Sequence, residues 1–308
     1  MSRRRLRVAV LGSTGGWHAR RLERALTARG HECAFAPVTR MVGRVGGGDG
    51  AGSREPALDV RSRELALDGC DVVLVRGIPR GSLEQVVFRV DVLHALAAAG
   101  VPAVNGAHAI ERTVDKFLAS ALLSRAGLPT PRTIACERPA DALEAFAELG
   151  GDVIVKPLFG SMGFGMVRVE DRDVAQRVFR ALELERAVYY LQETLPHSGR
   201  DVRALVVGER AVASIERVGE GWRTNLARGG HARPVRLDAR QECLCVQAAA
   251  ALGADYAGVD LLRADGRDYV LEVNGIPGWQ GFERATGVDA AAAIVDHLET
   301  RPANGAGG

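Results

Sequence analysis

Apolar runs closed by glycine alternate with stretches of helical period along the first part of the chain. Arg7-Val-Ala-Val-Leu11 leads into Gly12-Ser-Thr-Gly15-Gly16, which reads as a buried strand entering a glycine turn, and a helix is predicted from about Trp17 to Ala28. Asp71-Val-Val-Leu-Val75 predicts a second strand, Leu83 to Ala99 a helix, and Pro102-Ala-Val-Asn105 a short strand. This is the rhythm of a doubly wound α/β domain. The glycines resemble a dinucleotide fingerprint only faintly, because the spacing is not Gly-x-Gly-x-x-Gly and no acidic residue follows a second clear strand. Between Val42 and Pro56, Gly43, Gly46, Gly47, Gly48, Gly50 and Gly52 leave nothing to bury, so a mobile loop is expected.

The pattern continues with a helix from Ala109 through Lys116 to Ala126, stopped by Gly127-Leu-Pro129-Thr-Pro131. Strands follow over Asp152 to Pro157 and Met166 to Val169, then a helix from Val174 to Glu185. Further strands are predicted over Tyr189 to Gln192 and Arg203 to Val207, a helix over Ala239 to Leu252, and two apolar strand-like runs between Asp260 and Asn274. The expected divisions are an N-terminal domain over 1–108, a central segment over 109–189, a C-terminal segment over 190–300 and a frayed tail over 301–308.

Composition narrows the function classes. With 308 residues, 47% hydrophobic, and a formal charge of +2 from 40 Lys+Arg against 38 Asp+Glu, the chain has room for two or three small domains. It carries no basic block, so no nucleic-acid partner is expected. The five cysteines, Cys33, Cys70, Cys136, Cys243 and Cys245, are odd in number and scattered, which suits free thiols in a reducing compartment. Neither a signal segment nor a membrane span is readable, and a cytoplasmic location is the expectation.

The last hairpin holds unexpected chemistry. Glu272 and Asn274 lie two apart and leave the same face of their strand. A two-residue turn at Asp265-Gly266 would pair Asp260 with Leu271 and send its carboxylate to the other face. An odd-length loop over Asp265, Gly266 and Arg267, or a bulge there, pairs Asp260 with Glu272 instead. Such a set of two carboxylates and an amide oxygen suits Mg2+ better than Zn2+ or Ca2+, with phosphate oxygens and water completing the shell. A surface hairpin with ordinary acidic residues is the competing reading.

A second group of residues suits phosphate. Lys156 ends a strand before Gly160, Ser161, Gly163, Phe164 and Gly165, and glycines of this kind let backbone amides approach an anion beside the lysine charge. The lysine precedes the glycines, so this is not a Walker A loop. Lys116 opens a helix. Gln192-Glu193 ends a strand, and Asp201 and Arg203 follow. Arg217, Arg223 and Arg228 crowd a stretch poor in acid, which suits capture of carboxylates or phosphates.

Taken together, Lys116, the Lys156-Pro157 glycine loop, Gln192-Glu193, Asp201-x-Arg203, Arg223-x-Asn225-x-x-Arg228-Gly-Gly and Asp260…Glu272-x-Asn274 resemble the ATP-grasp superfamily. The likeness is greatest to ribosomal-modification-type (RimK-like) α-L-glutamate ligases, and it covers roughly Ala109 to Leu298. The wording around Trp222 and over Gly275-Ile-Pro-Gly-Trp279 further resembles a branch that glutamylates tetrahydromethanopterin. Thr194 departs from the family, where an aromatic residue is often found, and so does Trp222, where Phe is common.

The resemblance implies an α/β chain of ATP-grasp fold, with an N-terminal doubly wound domain followed by two α+β domains clasping ATP. It implies that Lys116, Lys156, Gly160, Ser161, Gly163 and Gly165 meet the phosphates and that Gln192, Glu193 and Thr194 lie along the adenine. Asp201 would meet the ribose, and Arg223 and Asn225 would flank the triphosphate. Asp260, Glu272 and Asn274 would hold Mg2+ (or Mn2+). The implied reaction joins L-glutamate to a carboxylate-bearing acceptor through an acyl phosphate, with Arg203, Arg217 or Arg228 stabilising the oxyanion or holding glutamate. A homo-oligomer is expected by family analogy. Rival readings are the same chemistry on a protein C-terminus or amino-acid carrier, a non-catalytic ATP-binding regulatory module, and a carboxylase-like or phosphotransferase use of the fold.

Overall fold

The computed structural model describes residues 4–46, 58–160, 165–219, 222 and 231–301. By contact the chain forms two units: one takes in 4–111, Gly253–Ala257 and 275–301, the other Arg112–Leu252 and Gly258–Asn274. The C-terminal residues expected with the last segment therefore group with the N-terminal unit.

The first unit begins with β1 (Arg7–Leu11), α1 (Trp17–Ala28) and β2 (Glu32–Ala36), and continues with β3 (Met41–Val45), β4 (Leu58–Ser62), β5 (Leu65–Ala66), β6 (Val72–Val75), α2 (Leu83–Ala98), β7 (Ala103–Val104) and α3 (Ala107–Val114). Strands β1, β2, β6 and β7 form a parallel sheet in the order β2-β1-β6-β7. Ala9, Leu11, Val73 and Val75 share one core with Val92, Leu93 and Leu96 of α2. Their alternation along each strand leaves Val8 and Val10 for the opposite face. The segment expected to be a mobile loop divides. Met41–Val45 pairs antiparallel with Leu58–Ser62, because Met41, Val60 and Ser62 are buried, whereas residues 47–57 lie outside the described residues.

The second unit runs α4 (Lys116–Arg125), β8 (Thr133–Cys136), α5 (Pro139–Glu148), β9 (Val153–Lys156), β10 (Val167–Val169), α6 (Arg172–Leu184), β11 (Tyr189–Glu193), β12 (Arg200–Val207), β13 (Arg210–Val218), β14 (His231–Pro234), α7 (Ala239–Ala251), β15 (Tyr256–Ala264) and β16 (Arg267–Asn274). Its strands form two sheets, ordered β10-β9-β11-β8 and β14-β13-β12-β15-β16. The chain returns to the first unit through α8 (Gln280–Thr286) and α9 (Ala290–Thr300), and α9 packs on α1 with Arg29 donating to Ala292 O at 3.0 Å.

The helix expected from Ala109 to Ala126 is two helices. Asp115 breaks it: its carboxylate accepts from the backbone N–H of Phe117 and Leu118, capping α4 and leaving Lys116 as the first helical residue. Strands β2, β8 and β13 and helix α5 are not among the elements expected from the sequence; the strands form ladders with β1, β11 and β12, and α5 packs against α6. No helix among the described residues is long and apolar enough to cross a membrane. The five cysteines are free, Cys245 buried and Cys243 exposed on α7.

Candidate active site

Strand alternation builds one wall of a cleft within the second unit. On β9 and β11, Val153, Val155, Tyr189 and Leu191 face the core beneath α5 and α6. The intervening residues Ile154, Lys156, Tyr190 and Gln192 face the other way and line the cleft. Tyr190 pairs with Lys156 in the ladder and Gln192 with Ile154, so Gln192 reaches Lys156 diagonally. Lys156 Nζ donates to Gln192 Oε1 at 2.5 Å, and Gln192 Nε2 donates to Thr133 Oγ1 at 3.1 Å. The side chain of Gln192, expected along an adenine, thus holds the lysine. Glu193 Oε1 accepts from the Arg132 backbone N–H at 2.7 Å, and the Thr194 N–H donates to Asp152 O.

Lys116 comes to the same cleft from the start of α4. Its Nζ donates to Gly160 O at 2.9 Å and Leu158 O at 3.4 Å, fastening the entry to the glycine loop. Gly160 has a steric reason: a Cβ there would sit 3.1 Å from Pro157 Cγ. Gly165 holds φ at +76°, where a side chain is strained. Ser161, Gly163 and Phe164 lie outside the described residues. Burial lowers the pKa of Lys156 to about 8, with the Lys116 charge adding to the effect and Glu272 and Asp260 opposing it. Burial also lowers Lys116, against the pull of Glu272 and Asp115.

The acidic hairpin supplies the facing carboxylates by a route other than an odd loop. Ala264 pairs with Arg267 across a two-residue turn, with φ positive at both Asp265 and Gly266. Asp260 nevertheless pairs with Glu272 while Leu261 pairs with Val270, which makes Leu271 the extra residue of a bulge. The expected pairing holds, and the slip is absorbed inside β16 rather than at the loop.

Asp260 is more committed than a free metal ligand. It accepts from Arg203 Nε at 2.5 Å and Arg203 NH2 at 2.7 Å, and from Arg217 NH2 at 2.9 Å. Arg217 also donates two bonds to Asp201, at 2.7 Å and 2.5 Å. Asp201, Arg217 and Asp260 are only 3%, 3% and 4% exposed. Burial disfavours the Asp260 charge, but the two guanidiniums outweigh it and hold the carboxyl below its ordinary range. Burial likewise opposes the Arg217 charge, and Asp260 and Asp201 reverse the balance and raise its pKa. This network gives Arg217 and Asp201 other partners than the oxyanion and ribose expected for them. Arg203 keeps a third nitrogen, NH1, that Asp260 does not use. Arg223, Asn225 and Arg228 lie outside the described residues.

The donor set fits Mg2+. A carboxylate offers about four lone-pair directions, and Asp260 spends three of them on arginine. Glu272, on the same face as Asn274, accepts no hydrogen bond from any described residue, yet both cleft lysines feel its charge. An open carboxylate, a partly used carboxylate and an amide oxygen are hard ligands of the kind Mg2+ takes alongside phosphate.

Sequence reasoning passed over His197. Its Nδ1 accepts from the Gly199 N–H at 3.2 Å, and it lines the cleft with Trp222 and Leu195. Burial lowers its pKa, opposed by Asp201 and by a bond to the Trp222 backbone. A lone histidine after Leu195-Pro196 carries no spacing signal that could have found it.

Two small sheets, one carrying Lys156 with Lys116 reaching the same cleft from helix α4 and the other ending in an acidic hairpin, define the ATP-grasp class of nucleotide-dependent ligases. The RimK-like ATP-grasp domain matches residues 113–298. The tetrahydromethanopterin:α-L-glutamate ligase of Methanosarcina acetivorans is 34% identical over 275 residues, covering 80% of this chain and 85% of that protein. A probable α-L-glutamate ligase of Sodalis glossinidius is 35% identical, covering 97% of this chain and 99% of its own. The solved structure of the ATP-grasp ligase PsnB, complexed with a phosphomimetic variant of its minimal precursor, Mg and ADP, superposes with a TM-score of 0.73 at 25% identity, covering 96% of this chain and 98% of that one. The chain belongs to the RimK-like ATP-grasp family, as an ATP-dependent acid–amino-acid ligase of the α-L-glutamate ligase type.

Proposed function

We propose that the cleft binds ATP, activates an acceptor carboxylate as an acyl phosphate and joins it to the amine of L-glutamate. The observation that carries this reading is the placement of Lys156 and Lys116 on one cleft with the open carboxylate of Glu272. Two ammonium groups with lowered pKa and no carboxylate within hydrogen-bonding distance among the described residues are prepared for an external polyanion. Mg2+, held by Asp260, Glu272 and Asn274, would neutralise phosphate charge.

The chain's own residues then divide the work. Lys156 and Lys116 hold the phosphates, and Lys116 also fastens Gly160 at the entry to the glycine loop. The adenine lies along the backbone from Glu193 to Leu195. An acceptor carboxylate oxygen attacks the γ-phosphorus and ADP leaves, and the deprotonated amine of glutamate then attacks the acyl carbon and releases phosphate. Arg203, through the nitrogen that Asp260 does not use, and Arg228 bind glutamate carboxylates or the tetrahedral oxyanion.

The pterin-glutamylating relative favours a reduced pterin bearing a carboxylate as acceptor, and the likeness to a ligase solved with its precursor favours a peptide carboxylate as second reading. Phosphate release is measured with L-glutamate and, separately, reduced pterins, folate-like compounds and peptides, followed by product mass. Release that needs both glutamate and one acceptor class, with a product heavier by one glutamyl residue, supports the reading. ADP formation indifferent to glutamate overturns it.

A further inference from the structure

Outside the cleft, one group of side chains in the first unit has metal-centre chemistry. His94 leaves α2, and His108 and Glu111 leave adjacent positions one turn apart on α3. His94 Nε2 lies 2.9 Å from Glu111 Oε1, and His108 Nδ1 lies 3.2 Å from Glu111 Oε2. The two imidazole rings meet edge to face with centroids 4.5 Å apart. One ligand atom from each of the three residues lies within 4.8 Å of the others.

We propose that His94, His108 and Glu111 form a binding site for a zinc-class divalent cation, joining α2 to α3. Tetrahedral zinc with bonds of about 2.0–2.1 Å spaces its ligand atoms about 3.3–3.4 Å apart. The two nitrogen-to-oxygen separations already fall just short of that edge, so small side-chain rotations open the cluster around an ion. Two imidazoles and one carboxylate are the donors zinc takes when it keeps a position for water, and they suit Mg2+ and Ca2+ poorly. The His94, His108 and Glu111 side chains are 33%, 74% and 42% exposed, so an ion has a path in. The competing state is a proton-only cluster, in which each imidazole donates its N–H to Glu111.

The test uses the full-length protein with any affinity tag removed. Zn2+ is titrated calorimetrically, and Co2+ by visible absorption, into the unaltered chain and the His94→Ala, His108→Ala and Glu111→Gln variants. One cation more per unaltered chain than per variant is expected, or at least about a tenfold weaker affinity in each variant. The Co2+ spectrum should show nitrogen and oxygen ligands without thiolate charge transfer, and Mg2+ in excess should not compete. Circular dichroism and ADP release should be the same in all four proteins, which separates lost ligation from lost folding. Equal Zn2+ stoichiometry and affinity in the unaltered protein and the His94→Ala and Glu111→Gln variants, or a spectrum carried by thiolates, overturns the proposal.

Discussion

Lys156 donates its ammonium proton to Gln192 Oε1 at 2.5 Å, and the direction of each bond beyond it is forced. An ammonium group has no acceptor, so the amide oxygen must face it and the amide nitrogen must face Thr133. Thr133 Oγ1 accepts from that nitrogen and passes its own proton to Pro131 O at 3.0 Å. A neutral acceptor fixes the lysine without cancelling its charge, which a carboxylate in the same place would do.

Gln192→Leu removes that acceptor, and Mg-ADP affinity is expected to fall about tenfold, close to the loss of one charge-assisted hydrogen bond. Gln192→Glu should also weaken nucleotide binding while moving the Lys156 titration upward. Calorimetry with Mg-ADP across pH reads both effects, and an unchanged affinity in the leucine variant would remove Gln192 from the site.

The lowered pKa of Lys156, about 8, sets a pH dependence. The charge that meets phosphate is present below that value and is lost as pH rises through it, so nucleotide affinity should drop between pH 7 and pH 9. Stability moves the other way. An unfolded lysine keeps its proton to about 10.4, so the unfolded chain binds more protons over this interval and the contribution of Lys156 to folding stability rises with pH. Lys156→Arg, always charged, should flatten the affinity profile measured by calorimetry.

Asp260 and Glu272 face each other in the ladder but should fail differently when changed. Asp260→Ala leaves the Arg203 guanidinium without its carboxylate and takes one of three bonds from Arg217, which keeps Asp201, and a loss of about 3–5 kcal/mol in unfolding free energy is expected. Glu272→Gln breaks no bond among the described residues. Its midpoint of thermal unfolding should hold while ADP release falls about a hundredfold. A shift in unfolding as large as that of Asp260→Ala would show Glu272 to be structural.

Asp115→Ala strips the cap from α4, and a loss of about 1 kcal/mol in stability is expected. Because Lys116 is the first residue of that helix, the KM for ATP should rise more than kcat falls, in a steady-state assay with saturating glutamate and acceptor.

Much of this protein is readable from local pattern. The β1 run, the Trp17–Ala28 helix and the alternation that sends Lys156 and Gln192 to one face of their sheet follow from periods of two and 3.6 residues. So does the pairing of Asp260 with Glu272, because only one register lets the acidic residues share a face. What the period leaves open is how that register is reached: Asp265-Gly266 alone favours a two-residue turn, and the compensating bulge at Leu271 depends on what packs on both sides of β16. Nor does local pattern contain the partner of each charged side chain. Arg217 reads as a free cation in a stretch poor in acid, yet folding brings Asp201 and Asp260 onto it from other strands of the same sheet, and burial makes that pairing obligatory. Residue type and spacing determined which chemistry the chain carries. The tertiary structure decided which charges stay open for a ligand, since a buried charge must take the nearest opposite one and only the fold says which that is.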